Sequence, residues 1–281
     1  MREAAAALRQ EGRRIGLLPT MGALHEGHLS LVRAARAQSD VVVVSIFVNP
    51  KQFGPGEDFD HYPRYLEQDH RLLEDARVDF LFAPAAQEVY PDGFATYVTV
   101  ERLSEKLCGR SRPGHFRGVA TVVRRLFELV QPYVAFFGQK DAQQSVIIRR
   151  MVRDLGLPVE IVVCPIVREA DGLAMSSRNV YLSPEERRAA VVLWQSLERA
   201  RERIEGGERR AESILVEMKS LTAREPRARV DYIEVVDLET LEAKPAVAGQ
   251  TLIALAAWIG TTRLIDNMIV EESEGQVRFR L

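Results

Sequence analysis

Short apolar runs alternate with helix-like stretches from the start of the chain to about residue 170. The apolar runs that lack polar alternation are predicted to be buried strands, at residues 15–19, 41–48, 80–82, 134–137 and 160–167. Helices are predicted between them, at residues 28–38, 65–76, 119–130 and 143–155. Such an alternation indicates a parallel sheet covered on both faces. Ligands of these sheets bind beyond the carboxyl ends of the strands, so the loops after strands are the places to look for a site.

The pattern changes after Asn179. The segment Ser183-Pro-Glu-Glu186 is a capping box with proline at the first helical position, and it predicts one long helix ending at Glu205. A further helix at 211–224 and strands at 230–236, 251–258 and 264–269 follow. We therefore predict an α/β fold with two parts. A Rossmann-like, doubly wound parallel sheet occupies residues 1–174, and a smaller α+β domain occupies residues 175–281.

Composition and charge restrict the class of protein. Hydrophobic residues make up 46% and charged residues 28% of the 281 positions, as in an ordinary globular protein. A formal charge of -2 and a pI near 6.3 give no electrostatic reason to expect nucleic acid as a partner. No apolar run has the length of a membrane span, and the N-terminus has no apolar signal core. Cys108 and Cys164 fit neither a zinc spacing nor a disulfide framework, so we expect a cytoplasmic protein.

A histidine pair follows the first predicted strand. In the string from Pro19 to His28, Gly22 permits a tight turn and Gly27 permits a ligand to approach the backbone where the helix begins. His25 and His28 are about one helical turn apart and can face the same anion, and a helix start suits phosphate. The alternative is that the histidines cap or pack the helix. A zinc-protease site is disfavoured, because that motif has its histidines four residues apart.

Polar side chains also follow two later strands. Asn49 and Gln52 come after the most apolar strand, and their neutral amides can bind a hydroxy acid without suppressing its nucleophilic carboxylate. The alternative for Asn49 is a turn built by Asn and Pro. Lys140, after the fourth strand, suits a triphosphate, and Asp141 can orient ribose, Lys140 or Mg²⁺, or only cap a helix. Of Gln143 and Gln144, one is expected to face inward.

Two further polar segments are candidates. Met175-Ser-Ser-Arg178-Asn179 offers hydroxyls and a guanidinium for the oxygens of a leaving pyrophosphate, although alone it is typical of a linker. The arginines at 110, 112 and 117, with His115, are typical of a solvated loop, and only Arg117 is selected as a candidate contact to substrate or phosphate. The glycines of a dinucleotide fingerprint are not found after the first strand, which argues against NAD.

The histidine string resembles the HxGH motif of the class I synthetase and nucleotidyltransferase superfamily. The longer strings are similar to the pantothenate synthetase family, and they occur in the expected order. They are Pro19-Thr-Met-Gly-Ala-Leu-His25-Glu-Gly-His28, Phe47-Val-Asn49-Pro50-Lys-Gln52-Phe53-Gly54-Pro55, Arg112-Pro-Gly-His-Phe-Arg117-Gly118, Phe137-Gly138-Gln-Lys140-Asp141-Ala-Gln-Gln144 and Met175-Ser176-Ser177-Arg178-Asn179. Family members usually have an extra strand before the first helix, whereas this chain is expected to begin inside that helix.

The resemblance implies an ATP-dependent ligase that adenylates pantoate and passes the acyl group to β-alanine, releasing pyrophosphate and then AMP. It implies Mg²⁺ with the ATP, and a homodimer. The catalytic residues implied are His25, His28, Lys140, Ser176, Ser177 and Arg178. The nucleotide contacts implied are Met21, Gly22, Ala23, Leu24, His25, Glu26, Gly27, His28, Gly138, Gln139, Lys140, Asp141, Val167, Met175, Ser176, Ser177 and Arg178. The substrate contacts implied are Gln52, Gln144, Asn49 and Arg117, the last to pantoate or phosphate.

Other functions share parts of this pattern. A nucleotidyltransferase of the same superfamily acts on a phosphorylated metabolite, which requires more basic residues than Asn49, Gln52 and Gln144 supply. A nucleotide-binding module without activity is expected to show gaps in the strings, and none is found in the sequence. A tRNA synthetase needs an anticodon-binding region, for which the balanced charge gives no support.

Overall fold

The computed structural model describes residues 1–273 and 275–281. Its strands, in chain order, are β1 (Ile15–Thr20), β2 (Val41–Ile46), β3 (Phe80–Phe82), β4 (Val134–Gly138), β5 (Glu160–Cys164), β6 (Ala228–Asp237), β7 (Gln250–Ile259), β8 (Thr262–Ser273) and β9 (Gln276–Arg280). Its α-helices are α1 (Arg2–Gln10), α2 (Glu26–Gln38), α3 (Leu66–Asp75), α4 (Ala86–Val89), α5 (Cys108–Ser111), α6 (His115–Val130), α7 (Ala142–Asp154), α8 (Pro184–Ala190), α9 (Val192–Glu205) and α10 (Ala211–Thr222).

The chain divides into two compact units. The first comprises Met1–Glu105, Arg112–Gly138 and Gln144–Cys164, and the second comprises Lys106–Ser111, Gln139–Gln143 and Pro165–Leu281. The second unit thus takes in residues 106–111, 139–143 and 165–174, although the sequence places the domain boundary after residue 174. The boundary at residue 174 stays a prediction. Within the described ranges, no helix is both long and apolar enough to cross a bilayer.

The first unit contains a parallel sheet with the strand order β3-β2-β1-β4-β5. Its central strands are buried because helices cover both faces, and the four valines of β2 are at most 3% exposed. The order reverses between β1 and β4, and the carboxyl ends at such a switch point are where doubly wound sheets bind ligands. The histidine string follows β1, and Gly138 ends β4. The predicted doubly wound sheet is confirmed.

The second unit contains an antiparallel sheet in the order β6-β7-β8-β9. Alternate residues of these strands pack with α8, α9 and α10 around a core that includes Leu197, Ile214 and Met268. The strand β9 was not predicted, although the alternation of Val277 and Phe279 with polar residues is a strand pattern. The separate α+β part of the fold is confirmed.

Some predicted bounds differ from the structure. The single helix expected from the Ser183 box to Glu205 is interrupted at Val191, whose N–H contacts the carbonyl of Arg188 three residues back, a tighter turn than an α-helix makes. The helix expected from residue 119 begins at His115, because Gly114 adopts a left-handed φ of 83° as its N-cap. The strand expected to reach residue 167 ends at Cys164, before Pro165, which has no N–H for a ladder.

Candidate functional site

The turn between β1 and α2 is fixed by a buried carboxylate. Gly22 has a φ of 82°, and Ala23 is also left-handed with a φ of 51°. The backbone N–H groups of Ala23 and Leu24 each donate to Asp69 of α3 at 2.8 Å. A Cβ at Gly22 would lie 2.9 Å from an oxygen of that carboxylate, so the turn requires glycine. Sequence reasoning missed Asp69, because nothing in its local pattern links it to a loop 46 residues away.

His25 and His28 cap the helix that they begin. The N–H of Gly27 donates to Nδ1 of His25 at 3.2 Å, and the N–H of His25 donates to Nδ1 of His28 at 3.3 Å. The ring centroids lie 4.1 Å apart. Because each Nδ1 accepts a hydrogen bond, the neutral ring has its proton on Nε2, and Nε2–H is a donor. The capping alternative is therefore observed, and it leaves each imidazole with the chemistry to bind an anion.

The segment after β2 is a network of polar contacts. The side chain of Asn49, which is 1% exposed, donates to Oε1 of Gln52 at 3.0 Å and to the carbonyl of Gly118 at 3.1 Å. Nε2 of Gln52 lies 3.1 Å from Sδ of Met21. The structure thus brings three residues of the predicted site together in the first unit.

The basic loop before α6, which the sequence predicts to be solvated, contacts the segment after β2 that contains Gln52. Arg112 binds Glu57 through two hydrogen bonds of 2.7 and 2.6 Å, and Nδ1 of His115 donates to the carbonyl of Gln52 at 2.8 Å. Burial alone would raise the pKa of Glu57, but the hydrogen bonds and charge of Arg112 outweigh it and lower that pKa below its ordinary value. A Cβ at Gly118 would lie 2.2 Å from the carbonyl oxygen of Lys51, so only glycine permits this approach.

Arg117 occupies a different environment from Arg112. It is exposed, and its guanidinium lies 4.7 Å from the ring centroid of Tyr97. Such stacking supports the side chain while its donors stay available to an anion. The choice of Arg117 as a contact stays a prediction, whereas Arg112 and His115 support the backbone of Gln52 and were missed.

In the second unit, the segment after β4 is held by β8. Nδ2 of Asn267 donates to the carbonyls of Gln139 and Lys140, at 3.0 Å each. The amide of Gln139 is buried and donates to Oδ1 of Asn267 at 3.3 Å and to the carbonyl of Arg280 at 2.9 Å. Gln139 therefore has a structural role in fixing the backbone next to Lys140, whose side chain is half-buried, as is that of Asp141.

The two neighbouring glutamines at the start of α7 differ in role. Oε1 of Gln143 accepts from the N–H of Cys108 at 3.0 Å, and its Nε2 donates to the carbonyl of Lys106 at 2.7 Å. Gln143 is buried and holds the segment that includes α5, whereas Gln144 is half-buried. This difference favours Gln144 as the substrate-binding residue of the pair.

The Ser176–Arg178 segment is a capped turn of 3₁₀-helix. Oγ of Ser176 accepts from the N–H of Arg178 at 3.2 Å. Asn179 anchors the turn by donating to Glu169 at 2.8 Å and to the carbonyl of Ala174 at 3.2 Å. The carbonyl of Val167 accepts from the N–H of Met175 at 3.0 Å. Two pairs of predicted nucleotide contacts, Val167 with Met175 and Ser176 with Arg178, are therefore joined by short-range hydrogen bonds.

A buried ion pair supports the strand next to Lys140. Asp266 of β8 binds the guanidinium of Arg168 at 2.7 and 3.0 Å. Burial raises the pKa of Asp266, and the hydrogen bonds and charge of Arg168 oppose this shift. Among residues 1–273 and 275–281, no group of three His, Cys, Asp or Glu side chains is placed to hold a metal ion.

The parallel sheet, the histidine pair after β1 and the hydroxyl- and arginine-bearing turn define a nucleotide-binding α/β enzyme of the HxGH class. The family model described as pantoate-beta-alanine ligase matches residues 1–269. A pantothenate synthetase of Heliobacterium modesticaldum is 63% identical over 265 residues, covering 93% of each chain. The chain therefore belongs to the pantoate–β-alanine ligase family.

Solved structures agree with this assignment. A pantothenate synthetase from Thermus thermophilus matches with a TM-score of 0.90 and 51% identity, covering 94% of this chain and 96% of that one. A pantoate-beta-alanine ligase from Francisella tularensis, complexed with beta-gamma ATP and beta-alanine, matches with a TM-score of 0.77 and 35% identity, covering 94% of each. The predicted family, fold and enzyme class, an ATP-dependent ligase of pantoate and β-alanine, are confirmed. The alternative nucleotidyltransferase is not favoured.

Proposed function

We propose that this chain condenses pantoate with β-alanine in two steps through a pantoyl adenylate. The pantoate carboxylate attacks the α-phosphorus of Mg-ATP and pyrophosphate leaves. The β-alanine amine then attacks the activated carbonyl, AMP leaves, and pantothenate is formed. The observation that supports this most directly is the pairing of imidazole donors at a helix start with neutral amides after the neighbouring strand. Catalysis then depends on positioning and on cations aimed at developing phosphate charge.

Nucleotide roles are assigned to the residues of the histidine turn and to those around Lys140 and Ser176. In the first unit, Nε2–H of His25 and His28 donate to phosphate oxygens, supported by the turn from Met21 to Leu24. In the second unit, Lys140 neutralises phosphate charge, and the hydroxyls of Ser176 and Ser177 with Arg178 bind the departing pyrophosphate. Backbone contacts to ATP are assigned to Glu26, Gly27, Gly138, Gln139, Val167 and Met175. Mg²⁺ enters with ATP as part of the substrate, and Asp141 is the carboxylate next to Lys140 that can orient it or the ribose.

Pantoate is assigned to amides of the first unit. Gln52 and Gln144 hold its oxygens, with Asn49 beside Gln52 and Arg117 at the exposed side. Neutral donors stabilise bound oxygens without withdrawing charge from the attacking carboxylate as strongly as a bidentate arginine does. Gln52→Ala and Gln144→Ala are each expected to weaken pantoate binding while ATP binding stays close to normal. Calorimetric titrations of both ligands test this division.

The order of steps is tested by isotope exchange. Labelled pyrophosphate is expected to enter ATP when pantoate is present and β-alanine is absent, because the adenylate forms before the amine acts. Exchange that requires β-alanine would exclude this order. Exchange with a phosphorylated acceptor, and none with pantoate, would instead support the nucleotidyltransferase.

We also propose that the protein is a cytoplasmic homodimer. The family resemblance supports the dimer, and two free, buried cysteines are compatible with a reducing compartment. Light scattering is expected to give twice the chain mass of 31.7 kDa. A mass of one chain at micromolar concentration would reject the dimer, and fractionation of cells tests the compartment.

A further inference from the structure

The orientation of the Asn49 amide is fixed by two backbone groups. The N–H of Lys51 can only donate, and it lies 3.2 Å from Oδ1 of Asn49. The carbonyl of Gly118 can only accept, and it lies 3.1 Å from Nδ2. Rotating the amide by half a turn would oppose donor to donor and acceptor to acceptor. Asn49 therefore has one permitted orientation.

The orientation of the Gln52 amide follows from that of Asn49. The second hydrogen of Asn49 Nδ2 meets the Gln52 side chain at 3.0 Å, so the atom that faces it must be the acceptor Oε1. Nε2 of Gln52 is then on the other side, 3.1 Å from Sδ of Met21. A thioether is a weak acceptor, and an N–H can leave it for a ligand oxygen at small cost. Gln52 thus offers donors to a ligand.

Tyr90 completes the arrangement. Its hydroxyl donates to Oδ1 of Asn49 at 2.8 Å, and its ring packs on Phe94 with centroids 4.9 Å apart. Burial raises the pKa of Tyr90, so the hydroxyl stays protonated and remains a donor near neutral pH. Asn49 now makes two donated and two accepted hydrogen bonds, which is the full capacity of an amide. It has no bond left for a substrate.

We propose that Asn49 and Tyr90 are positioning residues that hold Gln52 with its donor side toward pantoate. The subsite then selects an acceptor oxygen, such as the hydroxyl or carboxylate of a hydroxy acid, over an ammonium group, which has only donors. This inference rests on the proposed binding of pantoate at Gln52. It replaces the expected direct contact of Asn49 with an indirect role.

Tyr90→Phe removes the hydrogen bond that the Tyr90 hydroxyl donates to Oδ1 of Asn49, and it keeps the aromatic ring. Loss of one hydrogen bond is expected to raise the dissociation constant of pantoate about 2- to 10-fold, because Gln52 can then turn more freely. ATP binding is expected to stay unchanged. Tyr133→Phe is the matched control, since Tyr133 is 53% exposed, and it is expected to leave both affinities unchanged.

A double-mutant cycle separates positioning from general stability. In the Gln52→Ala background, Tyr90→Phe is expected to change pantoate affinity by less than about 2-fold, because the group that it positions is gone. The same loss in both backgrounds, or no loss in the unmodified background, overturns the inference. If exchange itself does not depend on pantoate in the unmodified protein, the proposed function fails instead.

Gln52→Glu provides a second test if Tyr90→Phe does not fold. The carboxylate keeps an inward acceptor for Asn49 but presents an acceptor to the ligand in place of a donor. Pantoate is therefore expected to bind more weakly to Gln52→Glu than to Gln52→Ala. Tighter binding to Gln52→Glu would mean that pantoate donates to this residue, which contradicts the proposed orientation.

Discussion

The helices α2 and α8 both begin with a capping box, but they use different residues. At α8, Oγ of Ser183 accepts from the N–H of Glu186 at 3.2 Å, and Glu186 accepts from the N–H of Ser183 at 2.9 Å. At α2, the imidazoles of His25 and His28 take the equivalent places. Serine and glutamate are sufficient for capping, since their side-chain oxygens also accept from backbone N–H groups at a helix start. Stabilisation of the helix therefore explains why α2 is capped, but it does not explain why the capping residues are histidines.

The segments that precede the two helices also differ. The turn before α2 combines two left-handed residues with a buried carboxylate from α3, whereas Ser183 is exposed and its cap bonds are made with Glu186 of its own helix. A strained turn held by a remote residue is typical of functional sites. The start of α2 therefore serves to place imidazole donors, whereas the cap of α8 serves only to stabilise its helix.

The largest effect on the rate of adenylate formation is expected for Lys140→Ala. This variant is the reference for a side chain that acts through its charge and caps no helix. Its side chain is half-buried, and its backbone is held by Asn267. Loss of one preorganised group at the transition state typically costs about 10²–10³-fold, so single-turnover adenylate formation is expected to slow at least that much through kcat. Given preformed pantoyl adenylate and β-alanine, the variant is expected to regain much of its rate. An equal defect in both reactions would assign Lys140 to acyl transfer or to building the site.

Substitutions that keep the cap of α2 test its histidines. His28→Gln and His25→Asn each retain a side chain that can accept from the backbone, but they lose the imidazole Nε2–H. Adenylate formation is expected to fall about 10²-fold for His28→Gln and less for His25→Asn, with the thermal midpoint of unfolding close to that of the parent. Normal exchange in both variants would reduce the histidines to caps, and α2 would no longer differ from α8.

Asp69→Asn tests the support of the α2 turn. The amide can accept from only one of the two N–H groups of Ala23 and Leu24, and its own NH₂ opposes the other. An unsatisfied buried donor costs about 1–3 kcal/mol of unfolding free energy. Exchange is expected to fall about 10-fold, since a misplaced turn shifts both histidines. Denaturant titration and exchange measured together check this, and full activity at reduced stability would show that the histidines need no such support.

The sequence predicted what depends on local pattern. Buried apolar strands, the Ser183 box and the histidine string have short-range signatures, and the predicted sheet, cap and family are confirmed. It did not predict Asp69, Asn267 or the contact of Gly118 with the Gln52 segment. Each of these joins segments that are far apart in the chain, such as Asn267 and Gln139, 128 residues apart. One sequence contains no periodicity from which such a pairing follows.

The smallest effect on activity is expected for Ser183→Ala, which is the control variant for the comparison between the caps of α2 and α8. Removing an N-cap hydroxyl costs about 1 kcal/mol of stability, because the N–H of Glu186 loses its acceptor. Ser183 lies only a few residues after the Ser176–Arg178 turn, so this is a demanding control for activity. Exchange is nevertheless expected to stay within about 2-fold of the parent, since the turn is anchored by Asn179 to Glu169 and not by the cap. If Ser183→Ala lost as much activity as His28→Gln at similar stability, helix capping in general would limit the reaction, and the imidazoles would lose their separate role.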